Sequence, residues 1–194
     1  IPSFEADRNK FVVFSNFNDP SYFSGLDAKI VDVCRATSAA PVYLPSYSFN
    51  GHTYIDGGVY ANDPILAAIN ISKTVKPNAR KIVIVDVGCG IGNMSFDGST
   101  ERLTTNNGIM AIFSLIKIGM TGSEEWTRYY LNYLSSRTDS DVYYYKFQPN
   151  FPTDFPNELD NSTAEWFNLL GNLVDSHYAN ESANISSIIS RLSV

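Results

Sequence analysis

Chemistry in this chain is most readily sought where a short strand ends in an acid and two glycines follow at once. Gly51–Asp56 reads GHTYID, a brief strand after a turn at Asn50-Gly51, and Gly57 and Gly58 come next. Paired glycines let the backbone turn sharply and let another segment or a substrate approach closely. Layered α/β sheets place their ligands beyond the carboxyl ends of strands, where Asp56 would stand. Asp56 is therefore a candidate catalytic carboxylate. A plainer role fits the same residues: a turn acid whose carboxylate accepts nearby backbone N–H groups.

Other groups offer less. His52 and His177 are the only histidines, and a Ser-His-Asp triad needs one beside a serine. His52 sits in a polar turn and reads as a surface residue; His177 falls in a C-terminal helix and reads as solvated. Ser38 has no glycine neighbour and reads as a helix-ending hydroxyl that satisfies backbone groups. Gly88-Cys89-Gly90-Ile91-Gly92 follows a strand but matches G-x-G-x-x-G only in part, with no ribose-binding acid about 20 residues on. Nucleotide binding there is the weakest of the functional readings. Cys34, in an apolar helical stretch, reads as a small core residue, and Cys89 alone cannot build a zinc site. Two cysteines also make no disulfide framework.

The elements that must position Asp56 follow from pattern. Lys10–Asn16, KFVVFSN, reads as a buried strand. Leu26–Thr37 reads as a helix with Asp27 as N-cap and with Ile30, Val33 and Cys34 at helical spacing. Pro41 and Pro45 make Ala39–Ser46 irregular. Asp63-Pro64 starts a helix, with the cap at Asp63 and proline at the first helical position. Lys81–Val87, KIVIVDV, is apolar on both faces except at Asp86, as in the middle of a mostly parallel sheet. Helices are expected at Gly108–Met120 and Ser123–Arg137, the second with Trp126, Tyr130, Leu131 and Leu134 on one side. The first is apolar nearly all round, through Ile109, Met110, Ile112, Phe113, Leu115 and Ile116. It is either buried, the favoured reading, or lines an acyl-chain pocket or a lipid-facing surface. Asp141–Gln148 is another strand, and Ser162–His177 and Ser182–Leu192 are the final helices. Strands alternating with helices, without an internal repeat, argue for one α/β layered domain.

Composition sets the outer limits. The chain has 194 residues, 44% hydrophobic and 18% charged, a make-up that buries a core and excludes disorder and collagen-like repeats. Its formal net charge of −6, with no Lys/Arg cluster, argues against nucleic-acid binding and against electrostatic docking on anionic membranes. No run of about 18 apolar residues suggests a membrane-spanning helix. Sequons beginning at Asn70, Asn93, Asn161, Asn180 and Asn184 lend secretion only slight support. No signal peptide is visible, and a chain that does not begin with Met is expected to be a processed or trimmed product.

The run Val33–Ala68 narrows the reading. Asp32-Val33-Cys34-Arg35-Ala36-Thr37-Ser38-Ala39-Ala40-Pro41, then Asp56-Gly57-Gly58-Val59, then Ala61-Asn62-Asp63-Pro64, resembles the patatin-like phospholipases, the Ser–Asp lipid acyl hydrolases. Gly88-Cys89-Gly90 after KIVIVDV looks like the family's strand and G-T-G turn. Weaker similarity continues through the Trp126–Leu134 helix and the Tyr143–Phe147 strand. The resemblance implies a three-layer α/β/α fold with a mostly parallel central sheet. It also implies a dyad, in which a serine on a G-x-S-x-G elbow attacks an ester carbonyl and Asp56 acts as general base. Serine is a weak nucleophile until a base takes its proton, and partial burial should raise the basicity of a carboxylate. Gly57, Gly58 and Asn62 would order the turn beside that base.

Neither the elbow nor the Gly-rich oxyanion segment occurs in these residues. Residues 1–194 are accordingly expected to form the C-terminal portion of one patatin-like domain. The nucleophile would come from the N-terminal half of that domain or from a second chain, and this chain alone would be inactive. The competing reading is a non-catalytic structural or binding protein on a degenerate scaffold. The implied substrate is a phospholipid or other acyl-ester lipid, met at a transient membrane contact. No cofactor and no metal are expected, and a cytoplasmic or membrane-peripheral location is favoured. Asp86 and Asp63 depart from the family's usual residues; Asp86 reads as a partnered strand-end acid, and Asp63 still serves as a helix cap.

Overall fold

The computed structural model describes residues 1–16, 28–91, 108–139, 141–152, 155 and 161–193. These form two compact units, one of residues 1–78 and 98–130, the other of residues 79–97 and 131–194.

The first unit is built on a four-stranded antiparallel sheet in the order β2-β1-β4-β3. Its strands are β1 (Pro2–Glu5), β2 (Lys10–Val13), β3 (Tyr47–Phe49) and β4 (His52–Asp56). In register, Ser3 stands opposite Val12 and Asp56, and Glu5 opposite Tyr54. Directly opposed residues share a face, so Ser3, Glu5, Val12, Tyr54 and Asp56 line one side of the sheet. Helix α1 (Ile30–Thr37) covers that side, and Val33 and Ala36 join Val12, Phe14 and Tyr54 in the core. Tyr54 is fully buried and packs its ring 4.7 Å from Phe49 and 5.5 Å from Phe14. The opposite side carries Phe4 and Phe11 against Tyr60 of the short helix α2 (Gly58–Ala61), with ring centroids 5.9 and 5.3 Å apart. Helix α3 (Ile65–Val75) starts one residue later than the Asp63-Pro64 pair suggested: Pro64 holds the cap position rather than the first helical one, and the Ile65 amide donates to Asp63 Oδ1 at 3.3 Å.

The second unit holds a parallel pair, β5 (Ile82–Val87) and β6 (Val142–Phe147), in full register from Ile82↔Val142 to Val87↔Phe147. Parallel pairing, expected for most of the sheet, is thus found between β5 and β6, while β1–β4 run antiparallel; the α/β class stands. Helices α5 (Ala164–Asn180) and α6 (Ser182–Leu192) complete this unit. Thr163 caps α5 by accepting from the Trp166 amide at 3.2 Å. α6 is fastened to β6 through Tyr145, whose hydroxyl shares a 2.7 Å hydrogen bond with Ser187 and accepts from Arg191 Nε at 2.7 Å.

Four expectations need correction. Gly108–Met120 and Ser123–Arg137 are one helix, α4 (Gly108–Ser136), because Gly119 and Gly122 weaken a helix without supplying the left-handed turn that ends one. Its expected burial does not hold for Ile112, Leu115 and Ile118, which are exposed; the side chains of Ile109, Met110 and Phe113 lie outside the described residues. On its later turns Leu131 is buried, whereas Trp126 and Tyr130 are exposed. Cys34 is exposed rather than core, since α1 turns Val33 and Ala36 inward. The proposed cap Asp27 lies outside the described residues.

Tyr54 Oη is buried and makes no hydrogen bond among the described residues. Burial pushes its pKa up, and the charges of Glu5 and Asp7 add to the effect. An unsatisfied buried hydroxyl costs about 1–3 kcal/mol. Tyr54→Phe is therefore expected to raise the urea midpoint, a gain of about 1 kcal/mol read at unchanged m-value.

Candidate active site

Asp56 closes β4, and three neighbours fix its backbone. Its amide donates to Ala39 O at 3.0 Å. Across the sheet it faces Ser3, whose fully buried hydroxyl lies 2.9 Å from Ile55 O and 3.2 Å from Ala36 O. Gly57 touches β1 so closely that a Cβ there would stand 2.5 Å from Pro2 O. The side chain of Asp56 is half-buried, and its Oδ1 accepts the Gly58 amide at 2.6 Å. Among the described residues no hydrogen bond or ion pair reaches Oδ2. One oxygen is thus anchored by the turn while the other can accept a proton.

Gly58 is the floor of the site. A Cβ on it would lie 3.1 Å from Asp56 Oδ1, 3.3 Å from Asn62 Oδ1 and 3.4 Å from Met120 Cε. Asn62, the residue after α2, thus shares with Asp56 the space beside Gly58. Met120 was not singled out in sequence; nothing in an apolar stretch of a long helix marks the side chain that meets the turn.

The A-T-S-A-A-P run proves to be a dock for this strand end. Thr37 Oγ1 donates to Pro2 O at 2.6 Å, and Ser38 Oγ turns back to Cys34 O at 2.8 Å, the helix-ending role expected of it. Ala36 and Ala39 are buried, so larger side chains would hold α1 off the sheet. Asp32 accepts from Tyr47 Oη at 2.7 Å, and the Arg35 guanidinium stacks 4.5 Å over the Tyr47 ring, tying α1 to β3. That hydrogen bond to Asp32 raises the Tyr47 pKa. Ser3→Ala removes the hydroxyl joining β1 to α1 and β4. A loss of about 1 kcal/mol in unfolding free energy is expected, measured by urea titration.

The remaining candidates fall elsewhere. His52 Nδ1 is held 3.0 Å from Asp7 Oδ2 and 3.2 Å from Glu5 Oε1, at the end of β4 away from Asp56. Asp86 is partnered as expected, accepting from Tyr144 Oη at 2.8 Å with Lys146 Nζ at 3.3 Å. His177, expected to be solvated, is half-buried, with Nε2 3.7 Å from Glu181 Oε1. The glycine turn after β5 is filled by its own chain: Cβ atoms on Gly88 and Gly90 would collide with the Gln148 side-chain amide and with the Phe151 ring. These glycines serve close packing rather than a phosphate cradle. Gly92 lies outside the described residues.

Residues 3–69, which hold the whole Asp56 turn and its dock, match the patatin-like phospholipase family. Over these residues the chain is similar to that family, and its likeness to patatins extends over most of its length. Relatives from Solanum tuberosum include Patatin-T5, 30% identical over 88% of this chain and 50% of its own length. Patatin-15 is 27% identical over 88% of this chain and 50% of its own. The protein named Probable inactive patatin-3-Kuras 1 is 28% identical over 84% of this chain and 49% of its own. This patatin-like chain spans about half the length of the curated relatives it matches.

Proposed function

We propose that this chain supplies the general base of a lipid acyl hydrolase. Asp56 would take the proton of a serine hydroxyl delivered by a segment outside these residues. The observation that carries this reading is the unequal environment of the two Asp56 oxygens, Oδ1 bound to Gly58 N and Oδ2 without a partner among the described residues. A carboxylate held this way has fixed orientation and one free acceptor, the geometry a base needs. Gly57, Gly58 and Asn62 keep that orientation, and Met120 gives the site an apolar flank.

The N-terminal half of the same domain, or a second chain, would bring the serine and the oxyanion donors. Unfilled surface on β5 supports this. A parallel pair is normally flanked by further strands and covered by helices, yet Val85 and Val87 are 46% and 77% exposed. The substrate would be a phospholipid or other acyl-ester lipid. Ile112, Leu115 and Ile118, exposed on α4, offer an apolar stripe for transient contact with a lipid surface. Hydrolysis of a chromogenic acyl ester by the reconstituted domain, this chain together with the segment that carries the serine, compared with the same assembly bearing Asp56→Asn, tests the proposal.

A second reading, a scaffold without chemistry, draws on the relative whose name marks it as inactive. No turnover by the reconstituted domain, with lipid still bound, would favour it.

A further inference from the structure

At the opposite end of β4 from Asp56, residues distant in sequence converge. Glu5 closes β1, Asp7 follows it, and His52 opens β4. One potential ligand atom from each of Glu5, Asp7 and His52 lies within 4.8 Å of the others. The imidazole nitrogen stands 3.0 Å from the Asp7 oxygen and 3.2 Å from the Glu5 oxygen. Asp7 is aimed by its other oxygen, which accepts the Thr53 amide at 2.8 Å. Asp7's pKa is lowered first by its hydrogen bond to His52 and next by that amide.

Glu5 is the second, independent feature. The residue is 3% exposed, and its Oε1 is buried without a hydrogen bond among the described residues. Only ion-pair distances reach it, 3.2 Å from His52 and 3.1 Å from Arg8 Nε. Burying a carboxylate costs several kcal/mol unless charge or hydrogen bonds offset it. Arg8 is 58% exposed, so its ion pair with this oxygen is a weak one that another cation could displace.

We propose that Glu5, Asp7 and His52 bind one divalent transition-metal cation of the Zn²⁺ type. One imidazole nitrogen and two carboxylate oxygens are a ligand set such ions take with three protein ligands, water completing the shell. Two ligands about 2.05 Å from a tetrahedral ion stand roughly 3.3 Å apart, close to the separations from His52. Ca²⁺ fits poorly, since it takes six or more oxygens. Metal ligands bind through unprotonated donor atoms, so occupancy should weaken on acidification. His52 and Asp56 are four residues apart on one strand, about 13 Å. The ion therefore staples the β1–β2 hairpin to β4 and takes no part at Asp56.

The test is calorimetric titration of Zn²⁺ into the metal-stripped full chain, with Co²⁺ absorption reporting the ligand field. Wild type should bind one more equivalent than His52→Ala and gain thermal stability with Zn²⁺ that this variant does not. Asp7→Asn should weaken that equivalent at least about tenfold, with far-UV circular dichroism confirming that both variants fold. Asp56→Asn should bind Zn²⁺ as wild type does, which separates this site from the hydrolase proposal. Equal stoichiometry and equal thermal shift in wild type and His52→Ala would overturn the inference and leave a histidine bridged to two carboxylates. An unchanged Co²⁺ spectrum in Asp7→Asn would also overturn it.

Discussion

Asp56→Asn in the domain reconstituted with its serine-bearing segment is expected to lower kcat/KM on a chromogenic acyl ester by about 10²–10⁴-fold, the usual contribution of a positioned general base. The substitution is isosteric. The new side-chain amide would keep an oxygen for the Gly58 N–H, now 2.6 Å from Asp56 Oδ1, so the turn should survive. What disappears is the capacity to accept the serine proton at the second atom. The deficit should fall on kcat more than on KM, because the base acts in the transition state rather than in substrate binding. Stability measured by urea should barely move. Undiminished turnover in a folded Asp56→Asn protein would remove Asp56 from the mechanism. Wild-type inactivity would instead point to the scaffold reading.

Gly57→Ala should produce the largest loss of stability among the turn residues, about 2–3 kcal/mol in unfolding free energy. The cause is steric. Gly57 has φ −65°, a conformation open to any residue, so its backbone needs no glycine. Its added Cβ would meet Pro2 O at 2.5 Å, Pro2 C at 2.6 Å and Ser3 N at 2.9 Å. All three belong to the backbone of β1, which pairs with β2 on one side and β4 on the other. β1 cannot recede without breaking one of those ladders. At Gly58 the nearest atoms are side-chain ends, 3.1–3.4 Å from the added carbon, so Ala there should cost less. A urea midpoint for Gly57→Ala equal to that of Gly58→Ala would refute this account. Because Gly57 adjoins Asp56, any Gly57→Ala protein that still folds should also lose activity.

Local chemistry explains what could be read in advance. Asp63-Pro64 announced α3 because an acid cap and a proline at a helix start act within a few residues. KIVIVDV announced β5, and β6 and α6 were also foreseen nearly to their ends, since their apolar runs are bounded by turn residues. β1 and β3 escaped notice: four and three residues are too few for a period, and they are strands because β4 lies beside them. The exposure of Ile112, Leu115 and Ile118 was likewise illegible, because an all-round apolar helix does not say what covers it.

By itself the sequence determined the α/β class, the likeness to patatins and the one acid worth testing, because D-G-G and A-T-S-A-A-P are contiguous runs whose meaning is local. Tertiary structure alone decided that Ala36, Thr37 and Ala39 exist to seat Asp56, and that Gly57 is a contact with β1 rather than a hinge. It alone decided that His52 meets Glu5 and Asp7 across 45 or more residues of chain. Those relations depend on strand register and helix docking. Both are set by burying Tyr54, Val12 and Val33 together, a long-range event that no short window of residues records.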